Sequence, residues 1–357
     1  VASAFRADRD GRMTVVKQRL ATTRLSDGTE IAYAVAGSGP LLVHAPGWLT
    51  HLERSWAMPP ERGFYEALAR GRTLVRYDRP GCGLSGTTSR ALSMDLEVET
   101  LAAVVAHVTS TTGRDGVELF GASLGAAAAA SFAAADPGSV SRLVLYGGWV
   151  RGRDVATAEN REHVLGLIGE QWGLGSDVLA GIFAPSADAA TRAAFIDYQR
   201  ESTTPQHARN LLTLAYDLDI TDRLGSITAP TLVIHRERDR AAPLEQGRAL
   251  AAGIPGASLE VLDGRDHLPY MGDAAALATS VRRFLGLPAV RAGAAAALTD
   301  RQRQVARLVT QGLTNREIAA ELTITERSVE SHVERIRDRL GFRSRSQVAA
   351  WYTAGGR

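Results

Sequence analysis

The chain has 357 residues, 41 basic and 39 acidic side chains, a net charge of +2 and 45% hydrophobic residues. That length exceeds one ordinary core and predicts about two domains, and the composition excludes a disordered or collagen-like chain. The single cysteine, Cys82, excludes an intrachain disulfide and a cysteine-based metal site.

A polar tail, residues 1–18, comes first. It lacks the apolar core of a signal peptide. Two apolar runs then flank Asp27-Gly28, a dipeptide that favours a hairpin turn. Residues 41–43 lead into His44-Ala45-Pro46-Gly47-Trp48. Residues 73–77 are closed by Asp78-Arg79-Pro80-Gly81, residues 117–120 run into Gly121, and residues 142–146 end at Gly147-Gly148. Residues 231–235 and 259–262 complete the series of strand-like runs. Helical stretches such as 96–108 and 126–135 separate most of them. This alternation predicts an α/β fold with a parallel, doubly wound sheet.

Residues 151–224 interrupt the alternation with helical patterning and no strand, which predicts a helical lid over the sheet. The expected boundaries are 19–287 for this first domain, 288–297 for an Ala-rich linker and 298–357 for a small second domain. Residues 298–357 carry eleven Arg and seven acids, a net of +4, while the rest is net −2. A phosphate-binding module would want its basic excess there. The apolar run 126–135 falls short of the ~20 residues a membrane span needs. The expectation is a cytoplasmic protein with no membrane partner. No metal site or cofactor is predicted.

Gly121-Ala122-Ser123-Leu124-Gly125 is a G-x-S-x-G sequence. Its strength lies in its context, because it follows a strand and opens an Ala-rich helix. In such an elbow the glycines allow a sharp turn, the serine Oγ is exposed, and the Leu124 N–H points where an oxyanion would form. Serine needs a base to take its proton, and the base needs a carboxylate to orient it. His267, just past the last strand, is the expected base and Asp239, after the strand ending at His235, the expected carboxylate. Glu237, Asp263 and Asp266 are alternatives to Asp239. Of the other histidines, His44 and His51 are expected at the pocket mouth, and His107, His163 and His207 at the surface or in packing.

The order Ser, Asp, His is that of the α/β-hydrolases, and residues 19–287 resemble that family. The stretch from Tyr77 to Ser85 resembles its D-x-R-G-x-G-x-S loop, and the stretch from Val43 to Trp48 its oxyanion segment. The resemblance implies that Trp48 or Leu49 supplies the second oxyanion N–H. Trp48 is the expected one.

In the second domain, Thr299-Asp300-Arg301-Gln302 and Thr314-Asn315-Arg316-Glu317 both fit capping boxes that open helices, and Gly312 stops the first helix. Thr325 caps a third helix. Val329, Val333, Ile336 and Leu340 form its buried stripe, while Arg327, Glu330, Ser331, Glu334 and Arg335 lie opposite. Two short helices followed by a longer one predict a helix-turn-helix. Leu298-Thr299, Gly312-Leu313-Thr314-Asn315, Glu317-Ile318-Ala319, Ser328-Val329, His332, Leu340-Gly341 and Arg345 resemble the LuxR/GerE-type output module. Gln302 and Gln304 depart from that module, which usually has Glu there, and Glu330 stands where many members have a base-contacting Lys. The resemblance implies a duplex DNA partner and a homodimer joined near residues 347–352. Arg316, Arg327, Arg335, Arg343 and Arg345 are expected on the DNA backbone and Glu330, Ser331 and Glu334 near base edges.

Two readings follow. In the first, the hydrolase domain senses, and also hydrolyses, a small ester or lactone and controls DNA binding. In the second, the chain is a serine ester or lactone hydrolase with an accessory DNA module. A lid and no visible cluster of pocket charges predict a largely apolar ligand.

Overall fold

A computed structural model describes residues 17–113, 115–288, 298, 300–340, 342 and 344–353. β1 (Arg19–Arg24) and β2 (Glu30–Gly37) form the expected antiparallel hairpin, with Gly28 at φ 86° in the turn. β3 (Leu41–Ala45), β4 (Thr73–Tyr77), β5 (Val117–Ala122), β6 (Val140–Tyr146), β7 (Thr231–Arg236) and β8 (Ser258–Leu262) follow. They build one eight-stranded sheet in the order β1-β2-β4-β3-β5-β6-β7-β8. From β4 to β8 every neighbouring pair is parallel, and β2 joins β4 antiparallel. A parallel sheet is covered on both faces, so its central strands read as near-continuous apolar runs rather than alternating. β5 is buried along its whole length.

Helices α1 (Leu52–Ala57), α2 (Pro59–Ala69), α3 (Met94–Thr112) and α4 (Leu124–Ala135) connect the first strands. Between β6 and β7 the chain forms α5 (Ala158–Glu170), α6 (Trp172–Phe183), α7 (Ala189–Ser202), α8 (Pro205–Asp217) and α9 (Thr221–Leu224). This is the segment expected to be a lid, and it contains no sheet strand. α10 (Leu244–Gly253) and α11 (Ala274–Phe284) close the domain.

Strand order explains where a site can form. β3 is flanked by β4 on one side and β5 on the other, so the connections leaving β3 and β5 diverge. Such a switch point leaves a crevice at the C-terminal strand ends. Small residues then let α4 approach closely. A Cβ at Gly125 would overlap the Ala45 and Pro46 carbonyl oxygens, and one at Gly121 would overlap Ala129. The polyalanine run is therefore a packing device, and Ala126 through Ala130 are buried.

The second unit is α12 (Asp300–Thr310), α13 (Asn315–Leu322), α14 (Glu326–Leu340) and α15 (Arg345–Thr353). It has its own core, including Leu298, Val305, Ile318, Val329, Val333, Ile336 and Val348. The expected buried stripe of α14 is present at Val329, Val333 and Ile336; the Leu340 side chain, the Thr299 cap and the linker lie outside the described residues.

Candidate active site and nucleic-acid interface

Ser123 sits between β5 and α4 at φ 57° and ψ −127°. A non-glycine residue in that region costs about 1–3 kcal/mol and persists only where its surroundings enforce it. Here the Ser123 N–H donates to Tyr146 O at 2.9 Å and the Ala126 N–H to Ser123 O at 2.9 Å. The close packing at Gly121 and Gly125 holds the rest of the turn.

His267 Nε2 lies 2.8 Å from Ser123 Oγ, and its Nδ1 lies 2.8 Å from Asp239 Oδ2. Asp239 Oδ1 accepts the Ala241 and Ala242 N–H groups at 2.8 and 3.2 Å. Burial pushes Asp239 up, but His267, its hydrogen bond and His235 together outweigh burial and hold the carboxyl below its ordinary value. The alternatives are engaged elsewhere or make no contact with the imidazole. Asp263 pairs with Arg238 at 2.5 Å, and Asp266 accepts the Ser186 hydroxyl at 2.7 Å. Among the described residues, Glu237 is joined to β8 by its backbone N–H, donated to Leu262 O at 2.9 Å.

Two buried arginines hold the catalytic residues' surroundings: Arg79, which stands in the loop that resembles the D-x-R-G-x-G-x-S motif, and Arg236, which no motif marks. Arg236, at the end of β7, donates to Asp266 O at 2.7 Å and to Met271 O at 2.5 Å, pinning the loop that carries His267. Arg79 donates to Gly47 O at 2.8 Å and to Pro46 O at 2.7 Å, and pairs with Glu97 inside the protein. It thereby fixes the segment leading to Trp48. The signal for Arg236 was its place directly after an apolar run, and for Arg79 its place in the loop motif. Trp48 packs edge-on against Trp172 and Phe183 of the lid.

Ser123 and His267 open on a cavity of about 70 Å³, room for about five waters. His44 and His51 both line it; His44 is buried and His51 is half-buried. His44 is buried and stacked on Phe120, and burial pushes it down to about 3, so its ring stays neutral at ordinary pH. His51 caps α1.

The expectation of a cavity without charges is wrong. Glu61 from α2, Arg76 from β4 and Asp78 just beyond β4 all line it. They lie on separate elements or inside an apolar run, and only the fold brings them together. Tyr65 donates to Glu61 at 2.9 Å, and the Arg76 guanidinium lies 4.2 Å from the Tyr65 ring centroid. Burial pushes Glu61 up to about 7. Because its folded pKa lies above the unfolded value, its contribution to stability is full below pH 4.5 and is lost as pH rises through 7. Glu61→Gln should therefore melt above wild type at pH 8 and near it at pH 5. Thermal melts across that range check this, and a pH-independent difference would contradict it.

These observations define the class. The chain belongs to the α/β-hydrolases: the family described as "Serine aminopeptidase, S33" matches over residues 62–271, more than half of the chain. The family "Bacterial regulatory proteins, luxR family" matches over residues 296–352, so the C-terminal unit is a LuxR-type DNA-binding helix-turn-helix. The chain is 29% identical to the 2-hydroxy-6-oxononadienedioate/2-hydroxy-6-oxononatrienedioate hydrolase 2 of Pseudomonas putida, over 74% of this chain and 90% of that one. It is 28% identical to a pimeloyl-[acyl-carrier protein] methyl ester esterase of Xanthomonas campestris, over 70% of this chain and 97% of that one. A hydrolase structure from Pseudomonas aeruginosa PA01 superposes with a TM-score of 0.63 at 24% identity, covering 75% of this chain and 98% of that one.

In the helix-turn-helix, Thr314 and Glu317 form a complete capping box at α13, and Thr325 accepts the Ser328 N–H at 3.2 Å before α14. Arg316 on α13 is exposed. On α14, Arg327, Glu330, Glu334 and Arg335 are exposed and Ser331 is half-buried. Arg327, Glu330, Ser331 and Glu334 follow the three-and-four spacing of one helix face. Arg343 lies outside the described residues.

Arg345 departs from expectation. Its guanidinium donates to Asn315 Oδ1 at 2.6 Å and also to Leu313 O. It ties the start of α15 to the turn before α13, while α15 itself packs against α12 and α14. It is a structural residue rather than a free phosphate contact.

Proposed function

We propose that this chain is a ligand-responsive transcriptional regulator whose hydrolase domain binds and hydrolyses a small ester or lactone and thereby controls DNA binding. The observation that carries this reading is a Ser123–His267–Asp239 hydrogen-bond relay lining a cavity, in the same chain as a DNA-binding module. Ser123 Oγ attacks the ligand carbonyl while His267 Nε2 takes its proton, and Asp239 stabilises the resulting imidazolium. The oxyanion is held by the Leu124 N–H and, on the Arg79-braced loop, by the Trp48 N–H. His267 then protonates the departing alcohol. Water releases the acyl group from Ser123 by the same route.

DNA binding rests on Arg316, Arg327 and Arg335 for the backbone and on Glu330, Ser331 and Glu334 near base edges, in a homodimer paired through α15. Arg327→Ala should weaken binding to all duplexes and reduce the salt slope by about one, whereas Glu330→Ala should change sequence preference. Arg345→Ala should instead lower the melting temperature of the module. Binding isotherms over a salt series, with melts beside them, separate the three. Equal salt slopes for wild type and Arg327→Ala would remove Arg327 from the interface.

The completeness of the relay also favours a second reading, an ester hydrolase with an accessory DNA module. Full-length protein that is labelled on Ser123 by a fluorophosphonate and binds duplex DNA supports both readings. Failure of both reactions overturns both readings, and only an effect of ligand on DNA affinity separates them.

A further inference from the structure

His267 Nδ1 meets Asp239, so Asp266, its neighbour in the chain, is left for another task. Asp266 is 2% exposed, and its carboxyl group faces the lid. Oδ1 accepts the Ser186 N–H at 3.0 Å and Oδ2 the Ser186 hydroxyl at 2.7 Å. Ser186 stands at the corner between α6 and α7. Two hydrogen bonds to one carboxyl group fix its direction as well as its distance. Gly272 leaves room for it, since a Cβ there would lie 2.9 Å from Asp266 Oδ2.

A second contact lies three residues back. Phe183, the last residue of α6, accepts the His267 N–H at 2.8 Å and the Leu268 N–H at 3.2 Å on its carbonyl oxygen. Its ring centroid lies 5.6 Å from that of His267 and 6.2 Å from that of Trp48. The loop is held from its other side by the sheet, because Arg236 at the end of β7 donates to Asp266 O and Met271 O. The base therefore sits on a loop clamped between sheet and lid. A general base must lie within hydrogen-bond reach of the proton it takes, and an error of about 1 Å can cost on the order of a hundredfold in rate.

Resting on the serine-hydrolase reading, we propose that Asp266 is a positioning residue for His267. It ties the loop of the base to Ser186 of the lid, so the base is set for proton transfer only while the α6–α7 corner is seated. Seating of the lid and readiness of the base become one event. A ligand that holds this corner open is bound but not consumed.

The test uses full-length protein and three measurements: turnover of 4-nitrophenyl acetate, the rate and endpoint of Ser123 labelling by a fluorophosphonate, and amide hydrogen exchange. Asp266→Ala should lower kcat and the labelling rate about thirtyfold to a hundredfold while labelling still reaches the wild-type endpoint, because the protein is folded and its base misplaced. Asp266→Asn keeps an acceptor for the Ser186 N–H and should lose less than about fivefold. Ser186→Ala loses only the hydroxyl and should cost about threefold to tenfold. The amides of residues 267 and 268 should exchange about tenfold faster in Asp266→Ala and Ser186→Ala, with those of β5 and β6 unchanged. Asp177→Asn cuts the 3.1 Å pair with Arg192 inside the lid and should alter neither rate nor exchange at residues 267 and 268. Wild-type rates in Asp266→Ala and Ser186→Ala overturn the proposal. So does a lowered labelling endpoint with an unchanged rate per active site, which would make Asp266 a folding residue. Should Asp266→Ala fail to fold, Ser186→Ala decides in the same way. Absence of both turnover and labelling in wild type rejects the serine-hydrolase reading and the role of Asp266 with it, whereas an active wild type indifferent to these substitutions rejects the role of Asp266 alone.

Discussion

Ser123→Ala should lower the rate constant for hydrolysis of a short activated ester by roughly four to six orders of magnitude, with little change in melting temperature. The size follows from the arrangement. Ser123 Oγ is the atom hydrogen-bonded to His267, so its removal ends covalent catalysis outright. What remains is a positioned water and the oxyanion donors. His267→Ala should cost nearly as much, because the two act as one unit and their losses do not add. Asp239→Asn should cost less in charge but disturb the imidazole tautomer, since Oδ2 meets His267 Nδ1 at 2.8 Å. Alanine inherits the φ of 57° without the hydroxyl, so the backbone strain is unchanged and folding is preserved. Steady-state hydrolysis of acetyl and butanoyl esters by matched wild-type and variant preparations makes the measurement. Equal rates would show that Ser123 is a turn residue and leave only a receptor.

Much of this site is written locally in the chain. The elbow needs five adjacent residues and the strand before them, and the capping box at Thr314 and Glu317 needs four. The elbow context of Ser123 and the places of Asp239 and His267 just after strand-like runs picked out three residues that meet at hydrogen-bond distance. The polar lining of the cavity was not legible, because Glu61, Asp78 and Gln199 come from α2, the loop after β4 and α7, and their meeting depends on how the lid settles on the sheet. Arg76 and Arg236 left a fainter trace, as single charges in strands that otherwise read as fully buried. The direction of Arg345 was also beyond the sequence. An arginine at the start of a helix in a DNA-binding module suggests phosphate, and only the fold brings Asn315 and the Leu313 carbonyl within its reach.

Ligand binding should change the affinity of the full-length protein for its DNA site, and DNA should change ligand affinity by the same factor. Reciprocity is required because both are equilibrium binding events on one molecule. Couplings of this kind are typically about 5–150-fold, and the ligand can supply only as much as its preference for one conformation over the other. The cavity of about 70 Å³ gives that preference a physical source. Many ligands fill several hundred Å³, so a ligand of ordinary size would have to displace Phe183, Phe195 or Tyr198, all lid residues that line the space. A lid that moves to admit ligand has two arrangements, and the DNA-binding module can favour one of them. Ser123→Ala should keep the coupling, since it binds without consuming the ligand, whereas in wild type the effect should decay as the ester is hydrolysed. The measurement is a DNA titration of both proteins with and without saturating ligand, followed over time. A lasting shift in Ser123→Ala and a transient one in wild type would make turnover the step that ends the signal. Identical DNA affinities with ligand demonstrably bound would mean that the two units are only tethered, and the regulator reading would give way to the enzyme.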